Sequence, residues 1–330
     1  MKKIETIPGL VSVVLVNLNG INLLEKFLPS LATQTYRDVE IFMVDNGSTD
    51  RSVQWVESNY PDIKIIKLPY NHGFSIPNNI AIREAKGEFV LTLNTDMLLE
   101  SDFIEELVGA IKEDASAGWA APKLLKLTRD FEKRPEVDCF GHHMSRTRFA
   151  READYSVVFD PKDYEEERYV FGASACGALY RREMLEDIAI NGEYFDEDFF
   201  AYFEDVDLDW RAQLRGWKCL YTPRSVGYHM RGGTGLKKKR PAIAACEFSN
   251  RFFLVIKNDS RKIFINDFFI ILRRTLKETL KYLLRNPAAL FFGVKRIFKY
   301  LPTMIRKRKI IQLNKKVGDS YMRDLIKGQA

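Results

Sequence analysis

Strands and helices alternate with short connections through the first 114 residues, and this order constrains the fold more than any other feature of the chain. Four apolar runs rich in β-branched and aromatic residues predict buried strands at residues 10–17, 39–44, 63–67 and 88–93. Apolar residues at helical spacing predict helices at 22–32, 48–59, 76–85 and 101–114. This pattern is typical of an α/β domain, in which helices cover both faces of a mainly parallel sheet. After about residue 115 the pattern becomes irregular.

Polar side chains follow two of the predicted strands at the point where each strand ends. Asp45 follows the second strand and Asp96 follows the fourth, and sheets of this type bind ligands beyond the carboxyl ends of their strands. One crevice can therefore hold both aspartates. Asp96 could coordinate Mg²⁺ or Mn²⁺ together with substrate phosphates, or it could cap the helix that begins near Ser101.

The turn after the second strand reads Asp-Asn-Gly-Ser-Thr-Asp over residues 45–50. Its carboxylate, amide and hydroxyl groups could bind a ribose or a base edge. A plain strand-to-helix turn uses the same residue types, and in that interpretation Ser48 or Asp50 is the N-cap of the next helix.

Residues 199–211 form the most unusual stretch of the chain, with four acids within six residues beside five aromatics. Carboxylates beside aromatic surface are partly desolvated, which raises a pKa toward that of a useful base. If the stretch is helical, Asp205 and Asp209 share a face, and Asp207 pairs with Arg211. The alternative is a solvated acidic face, which the aromatics fit poorly.

His229 precedes a glycine-rich run at residues 232–235, with Arg231 close by. A histidine beside a flexible loop could ligate a metal or touch a phosphate, and an arginine suits a phosphate. A lone histidine is more often structural, so this position by itself leaves both interpretations open.

Charge divides the chain of 330 residues into two parts. Residues 261–330 carry 18 Lys and Arg against 4 Asp and Glu, a net charge of +14, whereas the first 260 residues carry a net charge of −8. We expect a boundary near residues 236–242, with a first domain at 1–238 and a basic helical region at 239–330. A hydrophobic content of 46% excludes a disordered chain. The four single cysteines form no C-x-x-C pair, which indicates thiols in a reducing cytoplasm.

The basic region mixes Lys and Arg with Phe, Leu and Ile. On amphipathic helices this mixture suits an anionic membrane surface, where cations meet lipid head groups and rings enter the interface. No apolar run reaches the length of about 18 residues that a span needs, and no signal peptide is evident. A helical oligomer contact is the alternative. Nucleic-acid binding is disfavoured, because the aromatic density exceeds what a phosphate-tracking surface requires.

Taken together, five segments resemble family 2 glycosyltransferases with the GT-A fold. Within that family the chain is most similar to the rhamnosyltransferase-like branch, which builds O-antigen and other cell-surface polysaccharides. The segments are SVVLVNLNG at 12–20, VDNGSTD at 44–50, NHGFSIPNNIAIREAKGEFVLTLNTD at 71–96, FGASACGALYRRE at 171–183 and FDEDFFAYFEDVDLDWRAQLRGW at 195–217. The resemblance covers about residues 8–235, and it implies a nucleotide-sugar-binding, mostly parallel mixed sheet flanked by helices.

The resemblance implies which residues meet the donor nucleotide. Asp45 would bind the nucleoside with the loop after the first strand, and the segment from residue 71 would close on the nucleotide and diphosphate. With Arg231 added for its own phosphate chemistry, the candidates for donor binding are Asn17, Asn19, Asp45, Asn71, Gly73, Asn79, Asn94, Thr95 and Arg231.

The resemblance also implies metal and catalytic residues. Asn94 replaces the first acid of the family's D-x-D position, which leaves Asp96 as the main carboxylate for Mg²⁺ or Mn²⁺. His229 matches a late position that reaches the metal or the diphosphate. Glu204 and Asp205 match the motif that supplies the catalytic base, and Asp205 is the choice.

These roles imply an inverting transfer of a sugar, with rhamnose indicated by the branch, from a dTDP- or UDP-sugar to a hydroxyl of a glycan acceptor on a polyprenyl diphosphate. Such an enzyme is expected in the cytoplasm, on the inner face of the cell membrane. The alternative is a non-catalytic nucleotide-sugar or lipid-binding scaffold that kept the fold. A nucleotidyltransferase is disfavoured, because the loop at residues 17–20 lacks the basic residue that such an enzyme needs.

Overall fold

The computed structural model of the chain describes residues 5–152, 164–231 and 241–327. The strands are β1 Ile7–Asn17, β2 Val39–Asp45, β3 Lys64–Lys67, β4 Gly87–Leu93, β5 Met97–Leu99, β6 Ala117–Leu127, β7 Lys133–Cys139, β8 His142–Met144, β9 Ala150–Glu152, β10 Arg168–Val170, β11 Gly177–Arg181 and β12 Lys218–His229. The helices are α1 Ile21–Ala32, α2 Ser52–Asn59, α3 Ser75–Glu84, α4 Phe103–Glu113, α5 Arg182–Ile188, α6 Glu204–Leu214, α7 Pro241–Asn258, α8 Arg261–Arg285, α9 Pro287–Leu313 and α10 Asp319–Lys327.

Ten strands form one sheet, in which eight follow the order β10-β12-β6-β11-β4-β1-β2-β3, while β5 pairs with β12 and β7 with β6. The half made of β4, β1, β2 and β3 is entirely parallel. Alternate residues of β1 face opposite sides, so Val13 and Leu15 join the core under α1 and α4 while Val14 joins the core under α3 and α5. The predicted α/β fold, with a mixed sheet flanked by helices and a helical C-terminal region, is confirmed.

The first four predicted strands and helices are present, with two corrections at their ends. Helix α2 begins at Ser52 with Arg51 as its N-cap, so the expectation that Ser48 or Asp50 caps it is wrong. Those side chains instead tie the turn to the loop after β1, where Asp50 accepts the Ile21 N–H at 3.1 Å. The alternative that Asp96 caps the fourth helix is also excluded, because β5 intervenes and Asp102 is the N-cap.

The irregular sequence after residue 115 folds as strands rather than loops. Strand β6 pairs in parallel with β12 and antiparallel with β7, and β11 inserts antiparallel between β4 and β6. Polar and apolar residues do not alternate along these strands, because β6 is buried on both faces and most of β7 is exposed. They place Asp138 and His142 beside the carboxyl ends of the parallel strands.

The C-terminal helices share a core with helix α6. One cluster joins Trp210 and Leu214 of α6 to Phe253 of α7, Met304 of α9 and Ile326 of α10. Two buried ion pairs join the same parts, Lys257 Nζ–Asp207 Oδ2 at 2.8 Å and Lys307 Nζ–Asp196 Oδ1 at 2.6 Å. The boundary expected between residues 238 and 239 lies outside the described residues, and the helices beyond it pack against α6. Within the described ranges, no helix combines the length and the apolar character that crossing a membrane requires.

Candidate active site

The first two strands end in a network of side-chain hydrogen bonds. Asn17 closes β1 opposite Asp45 of β2, and its amide donates to Asp45 Oδ1 at 3.0 Å and to Ser48 Oγ at 3.1 Å. Asn19 has φ of 53°, and its Oδ1 accepts the Thr49 N–H at 2.7 Å. The structure therefore brings together the three residues expected at the nucleoside.

Asn46 ties the loop before α3 to this network. Its Nδ2 donates to Asn71 Oδ1 at 3.1 Å and to the Gly73 carbonyl at 2.8 Å. Gly73 has φ of +81°, and a Cβ there would lie 2.1 Å from the carbonyl oxygen of Phe200, so only glycine fits this backbone approach. Asn71 and Gly73 thus link the Asn17–Asp45 network, where the nucleoside is expected, to the loop before α6.

Asn79 lies apart from the expected donor contacts. Its side chain is fully buried. The Nδ2 group donates to the Phe195 carbonyl at 2.7 Å and to Glu197 Oε1 at 3.0 Å, while Oδ1 accepts from the N–H groups of Tyr194 and Phe195 at 3.2 and 2.9 Å. Both donors and both acceptor positions of the amide are occupied. Asn79 therefore holds the segment after α5 and has no group left for a donor.

A second group of polar side chains surrounds Asp96, which is 7% exposed. Its Oδ1 lies 3.4 Å from His229 Nε2 at the end of β12. The other ring nitrogen, His229 Nδ1, lies 2.9 Å from Asp138 Oδ2. Arg231 also contacts Asp138, donating from Nε to its carboxylate and from Nη2 to its carbonyl at 3.0 Å. The structure brings together the expected Asp96, His229 and Arg231 and adds Asp138.

The residues around Asp96 fit a divalent cation that a substrate helps to hold. Asp96 Oδ1 is buried and, apart from the long contact with His229 Nε2 at 3.4 Å, has no hydrogen-bond partner among the described residues. His229 Nε2 adds a nitrogen. The Asp138 contact would orient the ring, as outer-shell carboxylates do at metal sites. Among residues 5–152, 164–231 and 241–327, no group of three or more His, Cys, Asp or Glu could hold a metal. Diphosphate and water oxygens would have to complete the coordination.

The charge state of His229 opposes metal binding without a substrate. Burial disfavours the imidazolium, but Cys176, Asp138 and Asp96 together hold the pKa of His229 well above its usual value. A cation that binds Nε2 must therefore displace a proton.

The loop before α6 has an unusual backbone. Three non-glycine residues have φ between 65° and 72°, namely Phe200, Tyr202 and Phe203. Such conformations cost about 1–3 kcal/mol each and persist where the surroundings enforce them. Buried Asn250 of α7 donates to the carbonyls of Phe199, Ala201 and Tyr202 at 2.9, 3.0 and 2.8 Å. A C-terminal helix therefore holds the loop that delivers Glu204 and Asp205.

Asp205 and Asp209 share a face of α6, as predicted, and a histidine lies between them. His142 Nδ1 is 2.7 Å from Asp209 Oδ2, and Nε2 is 3.7 Å from Asp205 Oδ2. A Cβ at Gly172 would lie 1.9 Å from Asp209 Oδ2, so only glycine at this position leaves room for the buried carboxylate. The predicted pair of Asp207 with Arg211 is also present, at 2.9 Å.

Two buried carboxyls of α6 have raised pKa values. Burial, and then the charge of Asp205, raise the pKa of Glu204, whose Oε2 is buried without a hydrogen-bond partner in the described structure. Burial raises the pKa of Asp209 to about 7, even though His142 lowers it. Asp205 is the more accessible carboxylate, with 19% of its side chain exposed.

One cavity of about 390 Å³ joins the two groups of polar residues. Its walls include Asn94, His229 and Arg231 from the Asp96 side, and Glu204 and Asp205 with His142 from the α6 side. Phe74, which follows Gly73, lines it as well, so the cavity adjoins the nucleoside end. Asn94 and Thr95 are both partly exposed where β4 ends.

Comparison with known sequences identifies the family. A sequence model described as glycosyl transferase family 2 matches residues 12–189, more than half of the chain. The chain belongs to this family. The N-acetylglucosaminyl-diphospho-decaprenol L-rhamnosyltransferase of Mycobacterium tuberculosis is 28% identical over 251 residues, which cover 70% of this chain and 79% of that protein. The O-antigen biosynthesis protein RfbC of Myxococcus xanthus is 29% identical over 63% of this chain but only 16% of its own length.

Solved structures support the same fold for this family 2 glycosyltransferase. GalNAc-T7 with UDP, GalNAc and Mn²⁺ has a TM-score of 0.60 at 16% identity, covering 78% of this chain and 48% of that one. TarS 1-349 from S. aureus has a TM-score of 0.56 at 19% identity, covering 97% and 88%. The similarity to TarS extends over the C-terminal helices, which is consistent with their shared core.

The sequence pattern did not predict four features of this glycosyltransferase site. These are the presence of Asp138, His142 and Asn250, and the contact of Asp209 with a histidine. Asp138 and His142 lie on strands that the sequence pattern did not reveal, and Asn250 is separated from its partners by about 50 residues. Only the spacing of Asp209 four residues after Asp205 pointed to a shared face.

Proposed function

We propose that this family 2 glycosyltransferase moves a sugar, with rhamnose as the leading candidate, from a dTDP- or UDP-sugar to a hydroxyl of a glycan acceptor on a polyprenyl diphosphate, with inversion. The observation that carries the proposal is the cavity that Asn94, His229 and Arg231 share with Glu204 and Asp205. In this proposal one cavity would hold both the groups for a diphosphate and the groups for proton removal. The M. tuberculosis relative named as a rhamnosyltransferase acting on a decaprenol-linked sugar supports the donor and the acceptor class.

The donor would extend from the β1–β2 end toward Asp96. Asn17, Asn19 and Asp45 offer polar groups to the nucleoside, and Arg231 offers a guanidinium to the diphosphate. A bound Mg²⁺ or Mn²⁺ would neutralise charge on the departing diphosphate as a Lewis acid. Asp96 and His229 would hold the cation. The GT-A neighbours solved with Mn²⁺ support the use of a divalent cation.

Proton removal is assigned to Asp205 with His142 behind it. The Asp205 carboxylate would accept the proton of the acceptor hydroxyl as that oxygen attacks the anomeric carbon from the side opposite the diphosphate. His142 Nε2 lies 3.7 Å away and could take the proton onward, while Asp209 holds Nδ1 at 2.7 Å. The arrangement supports a base that passes its proton to His142 before the next turnover.

Substitution of the base tests the proposal and separates it from a non-catalytic scaffold. We expect Asp205→Asn to lower transfer by about 10²–10⁴-fold while the nucleoside diphosphate still binds, because Asp205 lies at the acceptor side of the cavity. Asp102→Asn, at an exposed residue before α4, is the matched control. Full activity in Asp205→Asn would refute the assignment, and wild type that binds nucleotide-sugars without turnover would favour the scaffold.

Removal of the cation tests the metal separately. We expect transfer to stop in EDTA and to return with Mn²⁺ or Mg²⁺, and Asp96→Asn to raise the cation concentration required for half-maximal rate. Undiminished turnover in EDTA would contradict a metal held by Asp96 and His229.

The C-terminal helices are proposed to rest on the inner, anionic face of the cell membrane from the cytoplasm. Most of the exposed large apolar side chains of the described residues lie on α8 and α9, and Phe269, Leu284, Phe298 and Leu313 are 81%, 75%, 72% and 85% exposed. With the basic charge of the same helices, this suits a lipid surface. It would bring the cavity to a membrane-bound acceptor.

A further inference from the structure

A second cavity, of about 280 Å³, lies between α7 and α8. It is lined mainly by apolar side chains, including Phe149, Phe248, Phe252, Val255, Phe268 and Leu272. Such a ring-lined space suits an apolar chain, whose burial is favourable in proportion to the area removed from water.

This cavity shares a wall with the active-site cavity. Phe149 and Phe248 line the apolar cavity, and the adjacent residues Ala150 and Glu247 line the active-site cavity. Arg251 connects the two, because its Nη2 lies 3.1 Å from Glu247 Oε1 and its guanidinium is 5.5 Å from the ring centre of Phe203. A molecule in the apolar cavity would therefore begin one side chain away from the active-site cavity.

The shared wall carries three guanidinium groups, of which one is buried and two are half-buried. The ring of Phe149 is contacted by Arg251 at 4.3 Å and Arg274 at 4.2 Å, and both arginines also pair with Glu278 at 3.5 and 3.0 Å. Arg148, whose side chain is 1% exposed, pairs through Nε with Asp259 and through Nη1 with Asp267, at 2.8 and 2.9 Å. Its Nη2 is buried and has no hydrogen-bond partner among the described residues. An unpartnered donor of this kind suits a phosphate oxygen.

The other side of the cavity meets the outer face of α8. Phe268 and Leu272 line the cavity and are 40% and 38% exposed. Ile265, Phe269 and Leu276 continue the apolar surface along the helix at 70%, 81% and 60% exposure. The cavity thus lies between the catalytic carboxylates and the face proposed to meet lipid.

We propose that this cavity binds the isoprenoid end of the acceptor lipid, with the lipid's phosphates near Arg148 and the sugar in the active-site cavity. The inference rests on the proposed lipid-linked acceptor and names where its lipid is held. A glycolipid fits because it has one apolar and one sugar end, and the two cavities share the wall that its phosphates would cross. A peptide segment or a second copy of the chain would not need the catalytic cavity next door.

Filling the cavity tests the proposal. Thr275→Trp on α8 and Val255→Trp on α7 fill it from opposite walls, and Ile265→Trp on the exposed side of α8 is the matched control. Transfer is measured with N-acetylglucosaminyl diphosphate that carries either a short alkyl tail or a decaprenyl tail. We expect wild type and control to have a KM about tenfold or more lower for the decaprenyl acceptor, and the filled variants to lose that preference while keeping kcat and KM with the short tail.

Two further measurements keep the outcome decisive. Melting temperature identifies a variant that fails to fold, in which case the variant on the other wall decides. Anisotropy of fluorescent decaprenyl phosphate in detergent micelles reports binding without turnover, and we expect it to weaken about tenfold in the filled variants. Equal tail preference and equal probe binding in wild type and filled variants would overturn the proposal that this cavity binds the isoprenoid. If wild type transfers to neither acceptor, the proposed function fails, and the binding measurement alone decides the cavity.

Discussion

His142 belongs to no motif, yet its ring lies between two carboxylates of α6. Other titratable groups near this pair include His143 on the same strand, Tyr180 on β11 and Cys219 on β12. All three stay neutral, because burial lowers the pKa of His143 to about 4 and raises the pKa values of Tyr180 and Cys219. The Asp209–His142 pair therefore remains the partner through which Asp205 can lose a proton.

Replacing this histidine should change the pH dependence of the rate. We expect His142→Gln to lower kcat by about tenfold or more and to leave the KM for the donor unchanged. In wild type, kcat should rise with pH through about 7, where Asp209 titrates, because the protonated pair cannot accept another proton. In His142→Gln this rise should disappear, because the histidine that receives the proton from Asp205 is absent. His143→Gln, at a ring that packs on Phe140, is the control, and an unchanged profile in His142→Gln would give His142 a structural role only.

Glu204 should make the folded state less stable as pH rises. Its pKa is raised by burial and by Asp205, so above the ordinary Glu value of about 4.3 the unfolded chain loses a proton that the folded protein keeps. The free energy of unfolding then falls with increasing pH. We expect Glu204→Gln to reduce this slope between about pH 5 and 8. At the upper end of that range its free energy of unfolding should exceed that of wild type by about 1.4 kcal/mol for each unit by which the pKa of Glu204 was raised. Urea unfolding across that range measures it, and an unchanged slope would mean that Glu204 ionises normally.

The elements around α6 depend on one another through the loop that precedes it. Positive φ values at Phe200, Tyr202 and Phe203 are unfavourable in isolation, and the three bonds from Asn250 make α7 part of the catalytic site. Arg296 of α9 supports Asn250, with its Nη2 donating to Asn250 Oδ1 at 3.3 Å and to the Asp198 carbonyl at 2.8 Å. The position of Glu204 and Asp205 therefore depends on two C-terminal helices.

Removal of this amide should impair catalysis more than donor binding. We expect Asn250→Ala to lower kcat by about tenfold or more, and to cost about 1–3 kcal/mol of stability because buried carbonyls lose their donor. Donor affinity should change little, since Asn17 and Asp45 lie on other elements. Steady-state kinetics and nucleotide titration separate these effects. Asn59→Ala, whose amide bonds only within its own helix, is the control, and a stability loss without a kcat change would show that catalysis does not need this support.

At the scale of the whole molecule, the C-terminal helices both complete the core and present an apolar basic face. Deleting residues beyond 240 would expose Trp210 and remove Lys257 from buried Asp207, which would keep only Arg211 as a cationic partner. Breaking a buried ion pair in this way is strongly destabilising. Membrane binding must therefore be tested on the surface of the helices.

Surface substitutions make that test specific. We expect the combination Phe269→Ser, Leu284→Ser and Phe298→Ser to abolish flotation with anionic liposomes, because exposed rings and aliphatic groups no longer enter the interface. Activity on a short-tailed acceptor should be unchanged. Ile7→Ser and Tyr70→Ser, at exposed apolar residues outside the C-terminal helices, control for a general loss of apolar surface. Equal flotation would contradict the membrane proposal, and a change in sedimentation would indicate the oligomer contact instead.

Local patterns in the sequence were enough to predict the α/β core, the family, and the position of Asp45 and Asp96 after two strands of one sheet, because strand and helix periodicity are local and parallel strands end at one edge. They also indicated that Asp205 and Asp209 share a face, since that follows from helical spacing. Long-range packing was needed to show that Asn79 is a structural amide, that Asp138 and His142 join the site, and that the basic helices are built into the core. Those outcomes depend on which buried donors and acceptors meet across long sequence separations, and buried groups must find partners wherever the fold supplies them.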